Sequence, residues 1–191
     1  RNAALRLEKA ELVSLWGEKM HRLGAKVLLK RLQFIMKLNN LTPCLYREIA
    51  GISQNVEILY ESEVFGNDFS ILKEDALYTL LEEKQRGVLT QEKRFKRSLI
   101  GPHRDDFSVR VSECSLRRYG SQGEQKTAAL ALKLSEWMVL EQEKKSRPIF
   151  LLDDIASELD DIRRRYLFEL LQGKEAQVFV TATNIENLKI G

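Results

Sequence analysis

Hydrophobic residues recur at helical spacing over residues 3–41, where Leu5, Leu12, Trp16, Met20, Leu23, Val27 and Leu28 alternate with basic and acidic side chains. That period predicts a long amphipathic helix, with Gly17 and Gly24 as its few breakers. Asn39, Asn40, Thr42 and Pro43 carry turn chemistry and predict its end. Val56-Glu57-Ile58-Leu59-Tyr60 alternates loosely and reads as a short strand. Helical spacing returns over residues 71–85, with Leu72, Ala76, Leu77, Leu80 and Leu81 on the apolar face. Residues 1–100 therefore read as a mostly helical subdomain with one small sheet element.

Residues 101–191 have a different pattern. Phe107-Ser108-Val109-Arg110-Val111 alternates as a strand does. The helix that follows Gly123, from Ala128 to Leu140, is apolar nearly all round and is expected to be buried. Ile149 to Leu152 is apolar on both faces, as in a central strand of a covered sheet. Helical spacing over residues 161–171 and a second buried strand over residues 177–181 complete the series. Helix, strand, helix, strand in that order is an α/β layer architecture.

Composition narrows the class. The chain has 191 residues, 43% hydrophobic and 31% charged, which is the balance of a globular protein with a substantial core. Net charge is only +3, so composition by itself does not point to nucleic acid. Basic residues are concentrated in the first 60 positions and in the knot Lys93-Arg94-Phe95-Lys96-Arg97. Such patches attract phosphate backbones, and they are equally common as solvated loops and helix faces. Cys44 and Cys114 are too few and too far apart for a disulfide framework or a zinc site. No apolar run is long enough to span a bilayer and no signal peptide opens the chain, so a cytoplasmic location is expected. The chain begins at Arg1 within a helical pattern and reads as a piece of something longer.

Two segments carry candidate chemistry. In the first, Tyr119-Gly120-Ser121-Gln122-Gly123-Glu124-Gln125-Lys126 leads into the long apolar helix. A glycine turn at a helix start can hold phosphate oxygens, although a serine there is equally a plain N-cap. In the second, Pro148-Ile149-Phe150-Leu151-Leu152-Asp153-Asp154 ends an apolar run on two carboxylates, with Ser157-Glu158-Leu159-Asp160 just beyond. Acids at the carboxyl end of a strand can hold magnesium and orient water, or can simply solvate the strand end. Each signal is weak alone. In this order, with a buried helix between them, they read as half of an ATP site. The other half, a P-loop of the form G-x-x-x-x-G-K-[ST], does not occur in the chain.

The segments resemble the signature motif, Walker B strand and D-loop of ABC-type ATPases. More narrowly, Ser-Gln-Gly-Glu-Gln-Lys-Thr-Ala-Ala-Leu-Ala-Leu-Lys-Leu and Leu-Leu-Asp-Asp-Ile-Ala-Ser-Glu-Leu-Asp resemble the RecF family of bacterial recombination mediators. Gly101-Pro102-His103-Arg104-Asp105-Asp106-Phe107 is similar to that family too, and is its most distinctive string. The likeness covers most of residues 45–184. It implies a partial ATPase head of α/β class carrying a helical arm, corresponding to the carboxy-terminal portion of the family's proteins.

The resemblance also implies roles. Ser121, Gln122, Gly123, Gln125 and Lys126 would belong to the signature, with Ser121 and Gly123 contacting the γ-phosphate of an ATP held by a second protomer. Asp153 would be the Walker B ligand to magnesium and Asp154 the acid that orients water. Ser157 and Asp160 would form the D-loop at a dimer interface. The full-length protein would use ATP and Mg2+, dimerise with ATP, and bind double-stranded and gapped DNA, with single-stranded DNA as an alternative. RecR and RecO-type mediator proteins would be its partners in DNA repair, recombination and replication restart. This chain alone would bind neither cofactor and would not hydrolyse ATP. Two departures stand out: Glu124 replaces the family's usual glutamine, and the switch position reads Thr181-Ala182-Thr183 rather than carrying a histidine.

The remaining features leave alternatives. Lys93, Arg94, Lys96 and Arg97 could track a DNA backbone or form a solvated loop. His21 reads as a surface residue; His103 reads as a structural hinge residue, with a role in DNA or nucleotide coupling as the alternative; neither has a metal-ligand partner at a sensible spacing. A head fragment of a structural-maintenance or RecN-like ATPase fits the same motifs, but the chain lacks the long heptad arm of those proteins. A binding module without a nucleotide role is the reading from a different class.

Overall fold

The computed structural model describes residues 1–65, 73–144, 148–153, 159–172 and 177–181. It divides into two compact units, each discontinuous in sequence: Arg1–Met36 with Leu59–Ser108, and Lys37–Ile58 with Val109–Gly191. The helices are α1 (Asn2–Arg6), α2 (Ala10–Ala50), α3 (Glu74–Phe95), α4 (Leu116–Tyr119), α5 (Gln122–Lys144) and α6 (Asp161–Gln172). The strands are β1 (Val56–Glu61), β2 (Asp106–Val111), β3 (Cys114–Ser115), β4 (Phe150–Leu152) and β5 (Val178–Val180). The described residues are thus mixed α/β, mostly helical.

The expected single helix over residues 3–41 is two. It breaks at residues 7–9, where Glu8 takes a left-handed φ of 55°, and α2 then runs for 41 residues with Pro43 inside it. The expected stop near Asn39–Pro43 does not occur, because the turn-forming side chains find tertiary partners. Asn39 Nδ2 donates to the Ile58 carbonyl (2.8 Å) and its Oδ1 accepts from the Ile58 amide (2.7 Å). Thr42 Oγ1 bonds Ser135 Oγ at 2.9 Å in a fully buried pair. With their hydrogen-bonding capacity used there, these side chains no longer compete with the helix ladder.

The buried stripe of α2 also differs from the expected one. Leu12, Trp16, Leu23 and Val27 are exposed, whereas Val13, Gly17, His21, Gly24, Ala25, Leu28 and Leu32 are buried. Small residues decide this face. A Cβ on Gly24 would lie 3.2 Å from Leu81 Cδ1, and one on Gly17 3.3 Å from the Gln85 side-chain amide, so α3 approaches where α2 has no side chain. His21 is therefore not a surface residue: it is 6% exposed, edge-on to the Tyr78 ring at 6.0 Å. The Gln85 amide donates to His21 Nε2 and accepts from both terminal nitrogens of Arg1 (2.9 and 3.0 Å). Burial lowers the His21 pKa and keeps the ring neutral.

α3 continues ten residues past the expected Gln85, which makes Lys93, Arg94 and Phe95 its last turn rather than a loop. Leu77 and Leu81 bury the expected face, while Ile71 and Leu72 lie outside the described residues. The end of α3 is joined to α1 by a buried polar cluster. Arg1 pairs with the fully buried Glu92, whose other oxygen accepts from the Leu99 amide (2.7 Å), and Asn2 Oδ1 accepts from both the amide and the hydroxyl of Ser98. The 101–106 string is held in the same unit. Arg31 donates to the Pro102 carbonyl and to Tyr60 Oη, and Tyr60 donates to Asp105. Burial raises the Asp105 carboxyl above its ordinary range and pushes the Tyr60 phenol up to about 12. These contacts give the string a structural part.

β1, β2 and β3 form one sheet in that order. β2 and β3 are an antiparallel hairpin closed by Ser112 and Glu113, both at positive φ, as a two-residue turn demands. β4 and β5 pair in parallel with Leu151 opposite Phe179. Phe150 and Leu152 point into a core with Trp137, Leu134, Leu167 and Leu171; α5 is buried on that side and exposes Gln125, Ala129 and Lys133 on the other, rather than being buried all round as expected. Among the described residues nothing covers the opposite face: Ile149, Leu151 and Phe179 are 56%, 72% and 53% exposed. Strands expected to be buried on both faces are buried on one, because side chains alternate across the sheet and the described helices pack on a single side.

Candidate nucleotide site

The turn before α5 needs glycine at position 120. A Cβ there would stand 2.6 Å from both Leu116 Cδ1 and the Leu116 carbonyl oxygen. The Gly120 amide donates to that same carbonyl at 2.9 Å, and Gln125 Nε2 braces the turn through the Gly120 carbonyl (2.9 Å). Ser121 then caps α5: Glu124 N–H donates to Ser121 Oγ at 3.2 Å, while the Ser121 amide and hydroxyl both donate to Glu124 Oε2 at 2.8 Å. This reciprocal arrangement is a capping box. These two donors hold the half-buried Glu124 carboxyl below its ordinary pKa range. Ser121, Gln122, Gln125 and Lys126 are exposed and Gly123 is half-buried, so the first turn of a 23-residue helix faces outward.

Asp153 follows β4 at its carboxyl end. Thr181 anchors it across the sheet: its amide donates to the Leu152 carbonyl (2.9 Å) and its hydroxyl to Asp153 Oδ1 (2.6 Å). Asp160 caps α6, accepting from the Arg163 amide on one oxygen (2.9 Å) and from the Arg163 guanidinium on the other. That guanidinium reaches α5, since a Cβ on Gly123 would lie 3.6 and 3.9 Å from its terminal nitrogens. Asp160, Arg163 and Gly123 are thus brought together. Asp154 and Ser157 lie outside the described residues.

Arg163 and the role of Thr181 were not anticipated. The spacing of Asp160 and Arg163 is an N-cap signal readable in the sequence, but the approach to Gly123 is not. Lys93, Arg94, Lys96 and Arg97 belong to the other unit. Lys96 pairs with Glu8, and Arg94 lies over the Phe95 ring at 5.8 Å. Among the described residues, no three His, Cys, Asp or Glu side chains group as a metal site, and no helix is long and apolar enough to cross a membrane.

No family model matches the chain. Individual relatives do. It is 37% identical over 196 residues to the DNA replication and repair protein RecF of Geotalea uraniireducens (strain Rf4), covering all of this chain and 51% of that protein. It is 36% identical over 190 residues to RecF of Geotalea daltonii, with the same coverage. The fold matches a solved structure described as the recombination mediator protein RecF-ATPrS in the RecFOR pathway. The TM-score is 0.85 at 32% identity, covering 99% of this chain and 51% of that one.

The chain belongs to the RecF family.

It spans about half the length of the RecF proteins it matches, the carboxy-terminal part. A second RecF structure, described with ATP, matches with a TM-score of 0.80 over 96% of this chain. Against RecF, the turn at Ser121, the strand-end Asp153 and the α6 cap at Asp160 are the elements to which the motif resemblance attaches nucleotide roles.

Proposed function

We propose that this chain is the signature-bearing part of a RecF-family ATPase that acts as a recombination mediator in DNA repair and replication restart. The observation that carries the reading is the meeting of Asp160, Arg163 and Gly123. It joins the segment after the Walker B strand to the first turn of α5, where backbone amides and the helix dipole favour an anion. In this reading the second unit is the head and the first is the helical arm.

ATP is held by the P-loop of a second copy, and Ser121 and Gly123 close on its γ-phosphate. Gln122, Gln125 and Lys126 shape that turn. Asp153 suits Mg2+, because it is an exposed carboxylate at a strand end, oriented by Thr181, and magnesium commonly takes one or two carboxylates with the remaining ligands from phosphate and water. The metal supplies charge neutralisation at the phosphates. Asp153 binds it, Asp154 orients water, and Ser157 and Asp160 line the interface. Closure follows because ATP binds the paired state better than the open one. Lys93, Arg94, Lys96 and Arg97 contact DNA backbone without reading sequence, RecR and RecO-type proteins are partners, and the setting is cytoplasmic.

Sedimentation of the full-length protein with and without ATP and magnesium tests this. ATP-induced dimers that Ser121→Arg abolishes and Asp154→Asn prolongs are expected. A monomer indifferent to ATP overturns the nucleotide mechanism.

A further inference from the structure

The donors that Ser121 would offer to a phosphate are already in use. Its amide and its hydroxyl both end on one oxygen of Glu124, at 2.8 Å each. An ionised carboxylate only accepts, so the hydroxyl hydrogen is committed to Glu124, and the remaining Ser121 Oγ bond is accepted from the Glu124 amide. Glu124 is not a loose surface acid. The Gln54 side chain lies beside it, and Gln54 Oε1 accepts in turn from the hydroxyl of Tyr46 (3.3 Å), a fully buried residue.

We propose, building on the composite site described above, that Glu124 is an internal anion occupying the signature turn, a latch that ATP must displace before Ser121 can engage the γ-phosphate. The carboxylate sits where the α5 amides and dipole favour negative charge, and so mimics the ligand. Phosphate and carboxylate compete for the same donors, and their like charges oppose joint occupancy. Glutamine is isosteric and neutral. It can still accept from Ser121, but more weakly and without repelling phosphate. The latch sets the ATP concentration at which two copies associate, and so holds the protein open at low nucleotide. Gln54 is a positioning residue that acts through Glu124.

The test uses full-length protein carrying Glu124→Gln, Glu124→Asp, Gln54→Ala or Ser121→Arg, with ATP-dependent association followed by sedimentation in graded salt. Glu124→Gln is expected to lower the half-saturating ATP concentration about fivefold at low ionic strength, and less as salt screens the charge. Gln54→Ala shifts it the same way by less and adds nothing to Glu124→Gln, a non-additivity that separate structural defects do not produce. Glu124→Asp, which keeps the charge, gives no gain. If the wild type associates with ATP, Ser121→Arg does not, and Glu124→Gln fails to strengthen association, the latch is wrong and the composite site stands. If neither the wild type nor Glu124→Gln responds to ATP, both are wrong.

Discussion

Two glycines three residues apart should fail in opposite ways. At Gly120 an added Cβ meets the Leu116 carbonyl oxygen and Leu116 Cδ1 at 2.6 Å, whereas ordinary contact begins at 3.4 Å, a shortfall of about 0.8 Å. The side-chain atom can rotate away, but the carbonyl cannot, because it accepts from the Gly120 amide (2.9 Å). Overpacking plus one weakened hydrogen bond costs about 2–4 kcal/mol for Gly120→Ala. At Gly123 the nearest atoms to the new Cβ are Arg163 nitrogens at 3.6 and 3.9 Å, which is ordinary contact. Gly123→Ala should therefore leave stability unchanged or raise it by up to about 1 kcal/mol, the helical gain of alanine over glycine. Its cost appears only when a phosphate approaches that backbone, where a methyl group in the way weakens ATP-dependent association by about 5- to 150-fold. Chemical denaturation followed by Trp137 fluorescence reads the first quantity, since Trp137 is buried against Phe150 in the same unit. Sedimentation of the full-length variants reads the second. A neutral Gly120→Ala, or a Gly123→Ala that loses more than about 1 kcal/mol of stability, refutes the packing argument. A stable Gly123→Ala that associates normally removes Gly123 from the nucleotide site.

Three further outcomes follow from the same contacts. Glu92→Ala strips the fully buried Arg1 pair of its acid and should cost about 3–5 kcal/mol in a urea titration; a loss under about 1 kcal/mol would show that Arg1 finds water instead. His21 has its pKa lowered by burial, so the folded state holds it neutral. Its contribution is present above the ordinary value near 6.5 and lost as pH falls below it, and His21→Phe should flatten that part of the stability–pH curve. Arg163→Gln should change stability by less than about 1 kcal/mol, because its pair with Asp160 is part-exposed, yet weaken ATP-dependent association, with Arg163→Lys recovering part of it. Equal loss in the glutamine and lysine variants would show that the charge beside Gly123 is irrelevant.

What the sequence made legible is short in range. The Ser121–Glu124 box and the Asp160–Arg163 cap each lie within one helical turn, so residue type and spacing announce them. α5 was legible because Ala128, Leu130, Ala131, Leu134 and Trp137 recur at helical spacing and form a broad buried face, while the expectation that it is buried all round fails at the exposed Ala129 and Lys133. The buried face of α2 was not, since hydrophobicity marks Leu12, Trp16 and Leu23, while the contact with α3 depends on Gly17 and Gly24 having no side chain. A four-residue apolar run likewise cannot show whether one face or two are covered, and Leu151 proves to be on the open one. Thr42 and Asn39 read as a stop because their partners, Ser135 and Ile58, are remote in sequence.

The same division runs through the candidate site. Each local cap fixes one helix start and nothing more. The candidate site rests on Asp153 meeting Thr181 across a parallel pairing, and on Arg163, held by its own cap, lying against the first turn of another helix. Neither meeting has a sequence period behind it, since parallel strands are joined by a crossover whose length leaves the register open. Glu124 shows the consequence most directly. Its box with Ser121 is an ordinary helix start when α5 is taken alone, and on the proposed reading of that turn as an anion site it would compete with phosphate. The two descriptions differ by one measurable sign: a plain cap predicts that Glu124→Gln weakens or leaves unchanged what α5 does, and a latch predicts that it strengthens it.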